Sequence, residues 1–135
     1  MQNYIYPALF HNDGERICVT FPDIKDIETT GFTLKEAYEN AVELLGDYLD
    51  SVITQKGTIQ EPSDVFELKT ERPSERYVLV SVDLTKWLVK KDNTYVKKNL
   101  TIPKWLNETI KEYDVNLSAI FQQALIDYLL FRKRK

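Results

Sequence analysis

Hydrophobic and polar residues first alternate along this chain and then recur at helical spacing. Tyr4-Ile5-Tyr6-Pro7-Ala8-Leu9-Phe10 is rich in strand formers, and Asn12-Asp13-Gly14 is a turn signal. Arg16-Ile17-Cys18-Val19-Thr20-Phe21 then sets Ile17, Val19 and Phe21 on one face. Glycine supplies the positive φ of a tight turn, so the two runs predict a hairpin. Pro22-Asp23 ends the second run, and a short third strand is expected over 27–30, stopping at Gly31. Thr33-Leu34-Lys35-Glu36 is a capping box, in which the Thr hydroxyl accepts an orphan backbone N–H and the Glu reaches back. Leu34, Ala37, Tyr38, Ala41, Val42, Leu45, Tyr48, Leu49, Val52 and Ile53 follow at helical spacing for about five turns. The opposite face, Lys35, Glu39, Asn40, Glu43, Asp47 and Asp50, is mostly acidic. Residues 58–75 hold Pro62 and Pro73 and little periodicity, which predicts a loop. Tyr77 to Leu84 alternates again, with Val78, Val80, Val82 and Leu84 on one side. The order β-β-β-α-β predicts a small sheet with one long helix across it.

The pattern changes after Lys90-Lys91-Asp92-Asn93-Thr94, which has the composition of a linker. Tyr95 to Ile102 is a short alternating run: Leu100 and Ile102 face one way, Lys97, Asn99 and Thr101 the other. Pro103 follows at once and suits a first helical turn, where its missing N–H would be unpaired anyway. A short helix is expected to about Tyr113, and Asn116 is a good N-cap for a second. Leu117, Ile120, Phe121, Ala124, Leu125, Tyr128 and Leu129 make an apolar stripe on that second helix. The expected division is therefore 1–88 as a front unit, 89–95 as linker and 96–135 as a β-α-α unit.

One strand and two helices are too few to close a core alone, and a lone strand leaves unpaired backbone groups on both edges. A symmetric dimer solves both problems, with the two strands paired antiparallel and the helices interlocked beneath. Lys97, Asn99 and Thr101 of each copy then lie on the outer face of a ribbon that the major groove of DNA admits. Asn reads adenine in a bidentate way, Thr hydrogen-bonds or touches a thymine methyl, and Lys reaches guanine or phosphate. Asn116, Leu117 and Ser118, at the start of the second helix, offer free backbone N–H groups to a phosphate. The segment from Val96 to Phe131, centred on Lys97-x-Asn99-Leu100-Thr101-Ile102-Pro103, resembles the ribbon-helix-helix family. Lys98 departs from that pattern at an inward phase, and Leu117 stands where many members carry a basic residue.

Charge divides the chain in the same place. Residues 1–89 hold 8 Lys and Arg against 16 Asp and Glu, a net of −8, whereas residues 90–135 hold 10 against 5, a net of +5. Such asymmetry points to a basic partner for the front and a polyanion for the back. The chain is 43% hydrophobic and 29% charged, a globular rather than a disordered composition. No apolar run approaches the length of a membrane span, and Met1-Gln2-Asn3-Tyr4 lacks the start of a signal peptide, so a cytoplasmic protein with no membrane partner is expected. One cysteine and one histidine exclude an internal disulfide and a Cys/His zinc cluster, and no metal or cofactor is expected.

The front also carries a likeness. Val19-Thr20-Phe21-Pro22-Asp23-Ile24, then a strand, then Gly31-Phe32-Thr33-Leu34-Lys35-Glu36-Ala37, is similar to the Phe-Pro-Asp segment and the helix start of the HicB antitoxins. The resemblance implies an α+β protein: a partial RNase H-like β-β-β-α-β domain joined to a ribbon-helix-helix dimerisation domain. It implies that the front binds and neutralises a HicA toxin, a small basic mRNA-cleaving protein, and that the tail binds and represses the operon's operator. Contact with such a toxin is expected from Asp23, Asp26 and Glu28 and from the helix face of Glu39, Glu43 and Asp47. A repressor whose front domain senses a small effector is the alternative of a different class.

Catalysis is not expected. A two-metal nuclease needs several carboxylates converging on its central strands, and only Asp83, at the end of the fourth, is placed for that. His11 has no evident Ser or Cys partner along the sequence, Cys18 reads as a packed thiol, and Trp87 and Trp105 read as packing residues.

Overall fold

The computed structural model describes residues 4–91 and 94–131, without the side chains of 88–91. Four strands, β1 (Tyr4–Asn12), β2 (Ile17–Phe21), β3 (Ile24–Gly31) and β4 (Glu75–Val82), form one sheet in the order β3-β2-β1-β4. Every neighbouring pair is antiparallel. The hairpin between β1 and β2 turns where Asn12-Asp13-Gly14 predicts it. Gly14 has φ +98°, and the Asp13 carboxylate accepts the backbone N–H groups of Glu15 and Arg16. Those two bonds, Arg16 first, hold the Asp13 carboxyl below its ordinary value.

β3 is longer than the expected 27–30 and begins directly after the Pro22-Asp23 turn. Phe21 pairs with Ile24, yet Thr20 pairs with Glu28, so Lys25, Asp26 and Ile27 bulge out of the ladder. Asp26 takes a left-handed φ of 67° there. The bulge destroys the alternation by which a strand is recognised, which is why the sequence pattern catches only the second half of β3.

Helix α1 (Leu34–Thr54) crosses one face of the sheet. Thr33 Oγ1 accepts the Glu36 N–H at 3.1 Å, as the capping box requires. Ala37, Ala41, Leu45, Leu49 and Val52 are buried against Tyr4, Tyr6, Ala8, Phe10, Val19, Phe21, Val80 and Val82. Gly31 lets β3 meet the helix start: a Cβ there would stand 2.4 Å from the backbone nitrogen of Ala37. Glycine is required at Gly46 too, where a Cβ would reach 2.6 Å from the ring of Trp87. Trp87 is thus a packing residue, on α2 (Leu84–Lys91). Helix α2 begins on a cap from the Asp83 carboxylate, which accepts the Lys86 N–H, and it extends into the stretch 89–95 expected as linker.

Two further helices follow, α3 (Lys104–Ile110) and α4 (Leu117–Phe131). Asn116 caps α4, its side-chain oxygen accepting the Ala119 N–H at 3.1 Å. Residues 94–103 form no strand in the single chain, in contrast to the alternation of Tyr95 to Ile102. A strand exists only against a neighbour, and no neighbour lies alongside this segment among the described residues. Lys98, expected inward, is exposed like the rest of it.

Helix α4 does not stand apart from the front unit. Leu130 is completely buried within the same core as Tyr4 and Leu49, and Phe131 stacks on Tyr4 with ring centroids 6.1 Å apart. The Ile59 N–H donates to the Leu130 carbonyl at 3.0 Å. The Tyr4 hydroxyl donates to Asp127 and accepts from Gln123 Nε2 at 2.6 Å. Burial first, and then the Asp127 carboxylate, raise the Tyr4 hydroxyl well above its ordinary pKa, so it remains a donor.

Candidate functional site

Two surfaces remain unsatisfied by the fold. The first is the tail. Helix α4 is apolar around much of its circumference, and only one side is docked. Gln123, Ile126, Asp127, Leu130 and Phe131 face the front unit, while Leu117, Ile120, Leu125 and Tyr128 are exposed, Tyr128 by 68%. This uncovered side is the stripe the sequence predicts. Leu100, Ile102, Trp105 and Leu106, earlier in the tail, are exposed as well. Trp105 is therefore no packing residue in the single chain. Burying one such side chain is worth about 1.5–3 kcal/mol, and apolar side chains left exposed in such number mark a contact site. Lys97, Asn99 and Thr101 are exposed on the extended segment before α3. Asn116, Leu117 and Ser118 are exposed at the start of α4, where the Asn116 side chain already satisfies one helix donor. Arg132 to Lys135 lie outside the described residues.

The second surface is the acidic front. Glu39, Glu43 and Asp47 lie exposed on the side of α1 away from the sheet, Glu39 within 3.9 Å of Lys35. Asp26 and Glu28 line a cleft of about 490 Å³ at the β3 bulge, with Thr20, Phe21, Ile24 and Ile27. Asp23, half-buried at the β2–β3 turn, also has a structural role. Its carboxylate accepts the Ser63 N–H at 2.9 Å, the Ser63 hydroxyl and Gln60 Nε2 at 3.0 Å. It fastens the 55–74 connection to the β2–β3 turn, a role that no sequence-local signal announces.

That connection is held along its length. Tyr6 donates its hydroxyl proton to the Gln60 carbonyl at 2.9 Å, and Tyr77 donates to the Lys69 carbonyl at 3.3 Å. The buried Glu75 carboxylate accepts the N–H groups of Glu71 and Arg72 and the Arg72 guanidinium. The Arg72 backbone bond, then those of Glu71 and the guanidinium, keep its carboxyl below the ordinary value against the opposing effect of burial. At the middle sits a one-turn 3₁₀ helix, Val65–Glu67, capped by Asp64. It carries Phe66 at 94% exposure.

A family model described as the HicB-like antitoxin of bacterial toxin–antitoxin systems matches residues 6–123. This chain belongs to the HicB-like antitoxin family. Among solved structures, this HicB-like chain is similar to one from a toxin–antitoxin complex of Streptococcus pneumoniae. The two share 28% identity over 93% of this chain and 99% of the other, with a TM-score of 0.59. It shares its fold with the antitoxin HicB of Burkholderia pseudomallei, at 24% identity over 96% and 99% of the two chains and a TM-score of 0.67. Antitoxin HicB3 is similar at 19% identity over 94% and 98%, with a TM-score of 0.64. No curated protein matches the sequence. The HicB-like fold is thus α+β, a four-stranded antiparallel sheet with several helices.

Among residues weighed for chemistry, the HicB-like chain uses Asp83 as a helix cap. His11 does have a serine partner: Ser74 Oγ lies 2.9 Å from its Nδ1, across the β1–β4 edge. The pair is exposed, and the nearby Glu75 carboxylate is committed to Arg72 and Glu71. Cys18 is half-buried on β2.

Proposed function

We propose that this chain neutralises a small basic HicA-type toxin through its acidic front and represses its own operon through a dimer of its tail. The observation that carries the reading is the uncovered apolar side of α3 and α4, directly behind an exposed polar triad, on a chain whose other half is strongly acidic. In the dimer, residues 96–102 of two copies pair antiparallel as a ribbon-helix-helix unit. Leu100, Ile102, Leu117, Ile120 and Tyr128 become its core. The missing strand of the single chain then acquires its neighbour, which answers the absence of regular structure over 94–103.

Lys97, Asn99 and Thr101 of both copies meet base edges in the major groove, and the α4 start at Asn116, Leu117 and Ser118 meets a backbone phosphate. The front is a partial RNase H-like domain without its chemistry, and it acts by binding in the cytoplasm. Similarity to a chain from a toxin–antitoxin complex supports the toxin as partner. Asp26, Glu28, Glu39, Glu43 and Asp47 supply the field that draws a basic protein in, an effect greater on the rate of capture than on final affinity.

The test is co-expression with the reading frame beside it, followed by light scattering on the purified complex. The expected mass is that of two copies of this chain with two of the toxin. A monomer that elutes apart from the neighbouring product refutes both halves of the proposal.

A further inference from the structure

The connection over 55–74 exceeds the roughly 12–15 residues beyond which structureless loops are uncommon unless functional. Its placement is not loose. Asp23, on the β2–β3 turn, is the hub that binds Ser63 and Gln60. Phe66 lies three positions after Ser63, and Asp26 three positions after Asp23. Neither arm therefore extends more than about 11 Å from its end of the hub. The capped turn bearing Phe66 and the cleft bearing Asp26 and Glu28 are accordingly tethered to the same hub by short arms.

A phenylalanine at 94% exposure gains nothing from the fold that presents it. Its backbone is nonetheless fixed: the Phe66 N–H donates to Asp64 at 2.9 Å, the Glu67 N–H to the Asp64 carbonyl at 3.0 Å and the Leu68 N–H to the Val65 carbonyl at 3.3 Å. Glu61, Asp64, Glu67 and Glu71 surround it in sequence and are exposed. A rigid aromatic tip with a charged rim is the pattern of a binding hot spot, and prior ordering removes part of the entropic cost of association. The rim decides the partner. Four carboxylates repel a nucleic acid and repel the same surface on a second copy, whereas they attract a basic protein.

We infer that Phe66 and the Asp26–Glu28 cleft, joined through Asp23, form the short-range docking surface for the basic toxin, and that the tip enters an apolar recess on it. This rests on the antitoxin reading and refines it. The outer face of α1 then serves approach rather than grip, because Glu39, Glu43 and Asp47 offer charge without an apolar anchor.

Kinetics separate the two roles. Toxin is recovered from the co-expressed complex by denaturation and refolding, and its binding to the full-length chain is followed by surface plasmon resonance. Phe66→Ala is expected to raise the dissociation rate at least tenfold, with unchanged circular dichroism and unchanged operator affinity. Reversing Glu39, Glu43 and Asp47 to Lys is expected to slow association several-fold at low salt and to leave dissociation within twofold. Glu28→Lys, inside the cleft, raises the dissociation rate as Phe66→Ala does. A wild-type chain that binds toxin alongside a Phe66→Ala variant that releases it at the same rate overturns the inference alone. Faster dissociation from the α1 variant than from Phe66→Ala overturns it as well. A wild-type chain that binds no toxin overturns the antitoxin reading, and the inference with it.

Discussion

Replacing Leu130 by Ala tests the way the tail is fixed to the front. Leu130 lies in the last turns of α4, has no exposed surface and packs in the core formed by the sheet and α1. Leu-to-Ala changes at fully buried sites cost about 2.7–5 kcal/mol, the spread reflecting how well the site collapses. A helix end relaxes more readily than a helix centre, so about 3 kcal/mol is expected here. At roughly 3–4 °C per kcal/mol for a chain of this size, the melting temperature falls by about 10 °C. The assay is urea unfolding followed by far-ultraviolet circular dichroism at two protein concentrations. Dimer stability depends on concentration by mass action, and an internal contact does not. The Leu130→Ala decrement is therefore equal at both concentrations. Ile120→Ala, on the opposite and exposed side of α4, is expected to lose stability through the proposed dimer and so to shift the concentration dependence. A Leu130→Ala variant within about 0.5 kcal/mol of wild type refutes the docking of α4, since that is the size of an ordinary surface change.

Two other outcomes follow from local geometry. Gly31→Ala sets a Cβ against the backbone of Ala37, which moves only if the start of α1 moves; a loss of at least about 2 kcal/mol is expected in thermal unfolding, and wild-type stability contradicts the close approach. Glu75 has a depressed carboxyl pKa in the folded chain, against an ordinary value of 4.5. Its contribution is complete above 4.5 and is lost as pH falls through that value to the lower folded one, because the unfolded chain takes the proton first. Glu75→Gln is thus less stable than wild type at neutral pH by a margin that shrinks on acidification, and a margin independent of pH refutes the carboxylate's role.

What could be read from sequence was local and periodic. The Thr33 cap, the α1 stripe and the Asn12-Asp13-Gly14 turn each rest on residues within one or two turns of each other, and each is present. The features that escaped reading are non-local. Asp23 and Ser63 are 40 positions apart and Tyr4 and Asp127 are 123 apart, and no periodicity announces either pair. Helix α4 hid its second apolar side because a helix hydrophobic nearly all round shows one stripe as readily as two. Phe66 lay in an aperiodic stretch where a single aromatic carries no signal until its exposure is known. Lys97, Asn99 and Thr101 are exposed, but the strand expected to bear them is absent from the single chain, where no neighbouring strand lies beside residues 94–103 among the described residues.

As proposed, one chain disarms a toxin and reads DNA on separate surfaces. This is tested most directly by titrating the full-length chain into its neighbouring toxin and following cleavage of a messenger RNA. Cleavage should stop at one copy per toxin, and Asn99→Ala should give the same endpoint while losing operator affinity by about 1–3 kcal/mol. RNA cut at the full rate in the presence of excess wild-type chain contradicts the account.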